Sequence, residues 1–509
     1  MRRFDTPGAT VVAGEGAAGQ PAAPPGGARE LALRILFEVE SRRAFADRLL
    51  EERLQRGALS EVDRRLVTQL VQGTLRMQRR LDWVADHLLR VDRAGLPVWI
   101  RLCLRLGIYQ LLFLDRVPRH AAVDETVRLA RKYGHPGTAG LVNAVLRRLP
   151  DALAGMPFPD RESQPIAHLG VLESHPDWIV ERWVARYGYE RAAALLSANN
   201  QPAAVTVRVN RLRASRDAIL KRLRAAGIEA APGRLCDSCL RLPAGAGLFA
   251  SGVFTDGWVT VQDEGEALVG LLVNPRPGER ILDLCAAPGG KLSHLVELAR
   301  GQALVVGVEL VPARARRTRQ GMRRLGHDGV ALVCADGRSF GRETRFDRVL
   351  VDAPCSGLGV LRRRSDARWR KSPELLAEMV ELQADLLARA ARLVRAGGAI
   401  VYSVCSFEPE ECETQLDDFL ERHPAFQVER PGPGFPAAVV ESRGCYRVLH
   451  DEYGADGVFG VRLRHVPPTA TRDGAAGRGM PHEGAGEDRQ AAADRRPADR
   501  PIDDDASGT

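Results

Sequence analysis

Two cysteines in the C-terminal half of the chain each follow a run of apolar, β-branched residues, in VDAPCSG and in AIVYSVCSF. Such runs are typical of buried strands in a parallel sheet. They place Cys355 and Cys405 at strand ends, and the carboxyl ends of parallel strands meet at one edge of a sheet. A single cysteine at such a position is usually a buried structural residue. Two of them at neighbouring strand ends favour nucleophilic chemistry by a thiolate.

A glycine-containing loop, CAAPGGK, follows an earlier apolar run, RILDL, and precedes a predicted helix. Glycine lets a ligand approach the backbone, and a helix N-terminus offers free N–H groups to an anion. The loop matches neither G-x-G-x-x-G nor G-x-x-x-x-G-K-[ST]. We expect it to bind a cofactor through Cys285, Ala286, Ala287, Pro288, Gly289, Gly290 and Lys291.

Acidic residues stand at the ends of the following strands. Glu309 ends the second strand, where doubly wound folds often hold a carboxylate for a ribose diol. Asp336 follows the third strand, where it could reach an adenine, and Asp352 ends the fourth. The loop and these acids suit a nucleoside cofactor without a pyrophosphate, so we expect S-adenosylmethionine, with its carboxylate held by Lys291 or by loop amides. The alternative is a tight turn beside two solvated acids.

These residues together suit methylation of a pyrimidine at C5. That carbon is a poor nucleophile until a thiolate adds to C6. An acid near N3, a position that Asp352 could take, would stabilise the adduct. A base must then remove the C5 proton so that the thiol can leave. One cysteine can perform the addition, and a second can assist the release.

The elements that must position these residues lie in 272–466, where strands and helices alternate. This alternation predicts an α/β domain with a doubly wound, parallel, Rossmann-like sheet whose crevices lie at the carboxyl ends of the strands. The strands are predicted at RILDL, ALVVGVEL, VALVCAD, DRVLVD, GAIVYSV and VFGVRLRHV.

The remaining chain divides into four further segments. Residues 28–150 show helical periodicity throughout, which predicts an all-α bundle. Residues 158–271 mix helical and strand signals and are predicted to form a small α+β connecting region. Residues 1–27 and 467–509 contain little that could be buried, so both are predicted to be disordered.

The charge of the chain favours a polyanionic partner. The net charge is +8, and residues 28–150 alone hold 23 Lys or Arg against 14 Asp or Glu. A basic surplus of this kind favours nucleic acid, although a soluble surface rich in arginine would look similar. No apolar run is long enough for a membrane span and no secretion signal is present, so we expect a cytoplasmic protein without a membrane partner.

Nine cysteines scattered along the chain indicate reduced thiols rather than a disulfide framework. Cys236 and Cys239 form a C-x-x-C pair. A lone pair of this kind is weak evidence for zinc, and we expect no metal.

At this point several motifs carry a resemblance to a known family. LDLCAAPGGK, VDAPCSGLGVLRRRSDARW, SVCS with the following EPEE, and DGVFGVRL resemble the motifs of the RNA (cytosine-5) methyltransferase family. LRLGIYQLLFLDRVPRHAAVDETV and GLVNAVLRRL resemble its NusB-like, RNA-binding N-terminal domain. SHPDWIVERW, TVRVN and TVQDEGEAL match the connecting region, so the resemblance covers about residues 29–465.

The resemblance implies an S-adenosylmethionine-dependent enzyme, expected to be a monomer, that makes 5-methylcytosine in small-subunit (16S) ribosomal RNA through a covalent Cys–C6 adduct. It assigns the nucleophile to Cys405 and assistance in product release to Cys355. It assigns cofactor binding to the loop 285–291 and to Glu309, Asp336 and Asp352.

The sequence also departs from the family pattern. Val404 stands where threonine is usual, Cys412 where asparagine is usual, and Ser365 where proline is usual. Glu309 stands where aspartate is commoner. None of these changes removes a reacting group.

Two other functions fit parts of the same sequence. An assembly factor with an inactive methyltransferase domain would use the basic helical segment, but it would have no chemical need for both cysteines and the CAAPGGK loop. A sibling enzyme acting on transfer RNA would need both, but the helical segment favours ribosomal RNA.

Overall fold

The computed structural model describes residues 27–56, 59–149, 155–243, 247–341 and 345–466. The segments predicted to be disordered, 1–27 and 467–509, lie outside these ranges except for Gly27. Within them, no helix combines the length and the apolar character that crossing a bilayer requires.

The N-terminal part of the protein is a helical bundle, as predicted. At its centre lies a helix, VWIRLCLRLGIYQLLF, that is too apolar for a surface position and is buried over most of its length. Leu104 and Ile108 of this helix are fully buried and share one core with Leu33 and Leu70 of neighbouring helices. The helices are α1 (Ala28–Arg42), α2 (Ala46–Arg56), α3 (Glu61–Arg76), α4 (Gln78–Leu88), α5 (Val98–Phe113), α6 (Arg119–Tyr133) and α7 (Pro136–Arg148).

The connecting part contains helices followed by a small antiparallel sheet, which agrees with the mixed α+β prediction. The helices are α8 (Pro165–Leu172), α9 (Asp177–Tyr187), α10 (Tyr189–Ala198), α11 (Arg216–Ala225) and α12 (Gly252–Thr255). The strands are β1 (Val205–Val209), β2 (Ala231–Pro232), β3 (Cys239–Leu242) and β4 (Val259–Val261), in the order β2-β3-β1-β4. Val207 and Val209 of β1 pack against Ile219 and Leu223 of α11, so alternate residues of this strand form the core.

The third part is an α/β sheet with helices on both faces. Its strands are β5 (Arg280–Asp283), β6 (Leu304–Glu309), β7 (Ala331–Cys334), β8 (Phe346–Asp352), β9 (Val394–Val404), β10 (Phe426–Val428), β11 (Tyr446–Val448) and β12 (Val458–His465). Its helices are α13 (Glu264–Val273), α14 (Gly290–Leu298), α15 (Pro312–Leu325), α16 (Pro373–Leu393), α17 (Glu413–Arg422) and α18 (His450–Tyr453). The predicted Rossmann-like α/β class is confirmed.

The sheet is parallel from β7 through β6, β5 and β8 to β9. Beyond β9 the sheet continues with β12, which runs antiparallel to β9, and then with β10, which runs antiparallel to β12. Strand β11 also pairs with β12 in the antiparallel direction. The sequence predicts the position of β12 but not its direction, because an apolar run packs equally well in either orientation. The parallel strands all end at one edge, called the carboxyl edge below.

Candidate functional site

The two cysteines singled out in the sequence meet at the carboxyl edge. Cys405 follows the last residue of β9, and Cys355 lies three residues beyond the end of β8. These strands are neighbours, with Asp352 opposite Ser403, and the two Sγ atoms are 2.9 Å apart. The hydrogen bond to the Cys405 sulfur, together with burial, raises the pKa of Cys355 well above its usual range. At this distance one thiol donates a hydrogen bond to the other sulfur.

The loop that carries Cys355 is held by a buried glutamate. Glu411 is fully buried and accepts hydrogen bonds from the Ser356 amide and hydroxyl, both at 2.6 Å. Gln383 of α16 donates to the same carboxylate at 3.0 Å, and the Tyr402 hydroxyl donates to the Glu411 carbonyl at 2.7 Å. This network fixes the Cys355 loop against β9. The acidic EPEE stretch gave a signal for it, because charged residues directly after a buried strand need partners.

Lys291 and Asp352 form an ion pair beside the thiols. The Lys291 ammonium lies 2.9 Å from Asp352 Oδ2 and 3.8 Å from Glu266 Oε2, and the Ser403 hydroxyl donates to Asp352 Oδ1 at 2.8 Å. Burial alone would lower the pKa of Lys291, but the two carboxylates outweigh it and raise that pKa. The ammonium therefore faces carboxylates, and Lys291 and the loop amides both stay predicted partners of the carboxylate of a cofactor.

The first strand ends on a buried carboxylate that sequence reasoning missed. Asp283 is 1% exposed and accepts a hydrogen bond from the Cys285 amide at 3.2 Å. Burial, reinforced by the nearby Asp352 carboxylate, raises the pKa of Asp283 to about 7. The signal was present in RILDLCAAPGGK, because an aspartate that ends an otherwise apolar buried strand is costly without a role.

The two acids predicted for the nucleoside also lie at the carboxyl edge. Glu309 is 4% exposed and accepts from the Val311 amide at 2.8 Å, so its carboxylate is oriented by the turn after β6. Asp336 lies beyond β7 and accepts hydrogen bonds from the Arg338 guanidinium, which lower the pKa of Asp336. An acceptor at the end of β6, an acid beyond β7 and the open N-terminus of α14 suit a diol, an adenine and a carboxylate. These residues fit S-adenosylmethionine.

An arginine from the connecting part holds the C-terminal end of the cofactor loop. Arg208 of β1 is fully buried and donates to the Gly290 carbonyl at 2.8 Å, to Ser293 Oγ at 2.8 Å and to Glu297 Oε1 at 2.7 Å. Burial alone would raise the pKa of Glu297, but Arg208 and a hydrogen bond from His327 outweigh it and lower that pKa to about 2. The only signal in the sequence was an arginine between valines in a predicted strand.

The C-x-x-C pair lies beside the start of α13. Cys236 and Cys239 are buried under α13, and the Glu264 carboxylate accepts from the Cys236 amide at 3.3 Å. No cluster of three or more potential metal ligands occurs among the described residues.

Comparison with known proteins identifies the family. The family described as "16S rRNA methyltransferase RsmB/F" matches residues 270–464, the NusB family matches 27–151, and an RsmF/B-like ferredoxin-like domain matches 175–247. The "Probable ribosomal RNA small subunit methyltransferase B" of Bacillus subtilis is 34% identical over 443 residues, which is 86% of this chain and 98% of that protein. The chain belongs to the RsmB/F family.

Other relatives agree with this assignment. The "Ribosomal RNA small subunit methyltransferase B" of Sodalis glossinidius is 38% identical over 76% of this chain and 88% of that protein. The solved structure "Crystal Structure of PH0851" has a TM-score of 0.73 at 25% identity and covers 87% of this chain and 100% of its own. The structure of NSun6 from Pyrococcus horikoshii has a TM-score of 0.53 at 19% identity, with 58% of this chain and 100% of that chain covered, and it shows the shared fold. Membership in the RsmB/F family confirms S-adenosylmethionine as the cofactor.

In this RsmB/F protein, a segment that follows the Cys355 loop joins the catalytic part to the helical bundle. The segment is 362–371, in which the Trp369 indole donates to the Leu75 carbonyl at 2.7 Å and Arg370 donates to the Arg43 carbonyl at 2.7 Å. Ser365, which stands where the family usually has proline, donates to the side chain of Gln72 in α3. The departure at this position therefore supplies a contact between the two parts.

Proposed function

We propose that this protein methylates C5 of a cytidine in small-subunit ribosomal RNA, with Cys405 as the nucleophile and Cys355 assisting release. The observation that carries the proposal is the 2.9 Å separation of the two sulfurs beside the Lys291–Asp352 pair. A second thiol so close to the first is not needed for cofactor binding. It suits a reaction in which one sulfur forms a bond with the base and another group must act before that bond breaks.

The roles proposed for the residues follow from their positions at the carboxyl edge. The thiolate of Cys405 adds to C6 of the cytosine, and electron density moves through the ring to C5 and N3. Asp352, held by Lys291 and Ser403, is the group proposed to face N3, where it donates a proton as that density develops and takes the proton back when the double bond is restored. S-adenosylmethionine, when bound, supplies an electrophilic methyl group for C5. A base then takes the C5 proton, the electron pair restores the C5–C6 double bond, and the Cys405 sulfur leaves.

Cys355 acts at the last step. Its raised pKa keeps it a thiol, so it does not compete with Cys405 for C6. Its proton lies within reach of the departing Cys405 sulfur, which makes the thiolate a better leaving group.

The test uses three cysteine variants of the full chain with ribosomal RNA isolated from cells that lack the gene and with methyl-labelled S-adenosylmethionine. Cys405→Ala should abolish methylation and form no covalent complex. Cys355→Ala should methylate once and stall, giving a protein–RNA adduct that survives denaturing electrophoresis. Cys334→Ala is the matched control, because Cys334 is an exposed cysteine of the same sheet and its loss should change neither result.

Three outcomes would contradict parts of the proposal. An adduct that accumulates in Cys405→Ala, and not in Cys355→Ala, would reverse the two roles. If bisulfite sequencing finds the new 5-methylcytosine in transfer RNA and not in ribosomal RNA, the proposed substrate is wrong. A wild-type protein that binds ribosomal RNA but methylates none of it would favour an assembly factor.

A further inference from the structure

A cavity of about 670 Å³ separates the helical bundle from the segment 362–371. This volume is within the range of sites that hold a drug-sized or nucleotide-sized ligand. We call it the bundle crevice. It is lined by Leu36, Val39, Glu40, Arg43, Thr74, Leu75, Gln78, Leu102, Arg105, Asp366, Trp369, Arg370, Lys371 and Ser372.

The wall of the bundle crevice contains a buried polar group without a partner. Thr74 is 1% exposed, and its hydroxyl makes no hydrogen bond with any described residue. Burial of a hydroxyl without a hydrogen-bond partner is unfavourable, so such groups usually serve a ligand or an ordered water. By contrast, the nearby Arg105 is fully engaged by Asp82 and Glu40 and forms a fixed side of the cavity.

The rim of the bundle crevice carries unpaired cations. Arg43 and Lys371 make no side-chain ion pair within the described ranges. Beside them, Phe45 is 64% exposed, and the Arg370 guanidinium lies 4.7 Å from the centre of its ring. An exposed aromatic ring under an arginine, next to free cations, is the usual composition of a surface that stacks bases and contacts phosphates.

The bundle crevice is continuous with the loop of the proposed catalytic site. Lys371 Nζ lies 3.9 Å from the position that a Cβ of Gly357 would occupy, and Gly357 is two residues from Cys355. Lys371 therefore lies between the bundle crevice and the loop that carries Cys355, next to the place where a target base would meet Cys405.

We propose that the bundle crevice binds an unpaired nucleotide of the substrate RNA next to the target cytidine. Its base enters the cavity, where Thr74 and Gln78 face it with hydrogen-bonding groups, and its phosphate lies against Arg43 and Lys371 at the rim. Holding a flanking nucleotide out of its helix would also help to expose the target base. This inference rests on the proposed function, because it takes RNA as the substrate.

The test measures RNA affinity, cofactor affinity and thermal stability in variants of the full chain, with transcribed small-subunit ribosomal RNA as the probe. Lys371→Gln should weaken RNA binding about fivefold and reduce the slope of log K against log salt by about 0.7–0.9, the effect of one lost phosphate contact. Phe45→Ala should weaken it about fivefold or more through lost stacking. Lys221→Gln is the matched control, since Lys221 is an exposed lysine of the connecting part and should change neither value.

Thr74→Val separates a binding role from a structural one. Because the Thr74 hydroxyl has no partner among the described residues, its replacement by a methyl group should leave the thermal midpoint unchanged or raise it. RNA affinity should nevertheless fall about threefold or more, and S-adenosylmethionine affinity by calorimetry should stay at the wild-type value. A drop in the midpoint together with wild-type RNA affinity would show that the hydroxyl is structural and overturn the inference.

The outcomes distinguish this inference from the function on which it rests. If the wild-type protein methylates ribosomal RNA and the Lys371, Phe45 and Thr74 variants bind it as tightly as Lys221→Gln does, the inference is overturned and the proposed function stands. If the wild-type protein binds no ribosomal RNA, both are overturned. Wild-type methylation with weakened binding in all three variants supports both.

Discussion

Replacing Arg208 by methionine should destabilise the protein through the carboxylate that it leaves behind. In the wild-type protein, the pKa of Glu297 is about 2 instead of its ordinary 4.5, even though burial alone would raise it. At 1.36 kcal/mol per pH unit, this difference corresponds to ~3 kcal/mol of stability at neutral pH. Removal of one partner from a buried ion pair typically costs about 3–5 kcal/mol, which agrees with that value. We therefore expect Arg208→Met to lower the free energy of unfolding by ~3 kcal/mol.

The stability difference between the wild type and Arg208→Met should change with pH, and the pKa of Glu297 sets the direction of that change. In the wild-type protein the pKa of Glu297 is depressed, so its contribution is complete above pH 4.5 and is lost as the pH falls towards 2. In Arg208→Met the buried carboxylate loses its arginine and keeps only the His327 contact at 3.4 Å, so burial raises its pKa and the variant loses stability as the pH rises through 4.5. The stability gap between the two proteins should therefore widen from pH 3 to pH 6.

The assay is urea unfolding followed by intrinsic fluorescence at a series of pH values, with the double variant Arg208→Met/Glu297→Leu as control. The double variant removes the stranded charge, so it should be more stable than the single variant at pH 6, and its gap to the wild type should widen less from pH 3 to pH 6 because only the wild-type Glu297 titrates in that comparison. The single variant should also bind S-adenosylmethionine more weakly by calorimetry, because Gly290 and Ser293 lose the guanidinium that holds them. A gap below about 1 kcal/mol, or one that stays constant from pH 3 to pH 6, would refute the reasoning.

Two further predictions concern the first strand and the cofactor loop. Burial raises the pKa of Asp283 to about 7, so the contribution of this carboxyl to stability is complete below pH 3.8 and is lost as the pH rises towards 7. The thermal midpoint of Asp283→Asn should therefore rise relative to that of the wild type between pH 4 and pH 7. A midpoint difference that stays constant over this range would show that burial does not raise the pKa of this carboxyl. Gly289 has a φ of +102°, and a Cβ there would lie 2.9 Å from Met322 Cε, so Gly289→Ala should cost about 1–3 kcal/mol and weaken binding of S-adenosylmethionine. Gly321→Ala on the neighbouring α15, where an added Cβ meets nothing within 4 Å, is its control; it should leave binding of S-adenosylmethionine unchanged and, because alanine favours a helix interior over glycine, stabilise the protein by about 0.5–1 kcal/mol.

The sequence predicts well those features that local pattern controls. The predicted strand RILDL is β5 and GAIVYSV forms most of β9, and the ends of these strands place Asp283 and Cys405 at one edge. This accuracy has a simple cause, because buried parallel strands are nearly continuous apolar runs and polar residues mark their ends. The adjacency of Cys355 and Cys405 follows from the same logic.

Features that depend on distant partners could not be predicted. The pairing of Arg208 with Glu297 joins residues from two different parts of the chain, and nothing in the local sequence names the partner. The ion pair between Lys291 and Asp352 could not be predicted for the same reason. Ser365 was recognised only as a departure from a family pattern, because its contact with Gln72 exists only after the helical bundle has docked.

The position of β12 has a consequence for the synthesis of the protein. β9, which ends next to Cys405, lies between β8 and β12 in the sheet, yet β12 is the last strand in the chain order. While the chain is being made, β9 therefore leaves the ribosome with one edge unpaired, and it stays so until residues 458–465 have also emerged. An unpaired apolar edge invites pairing with other chains. This edge of β9 therefore stays open to other chains for the time needed to translate the intervening residues. We expect a protein truncated before Val458 to aggregate instead of folding into an enzyme of reduced activity.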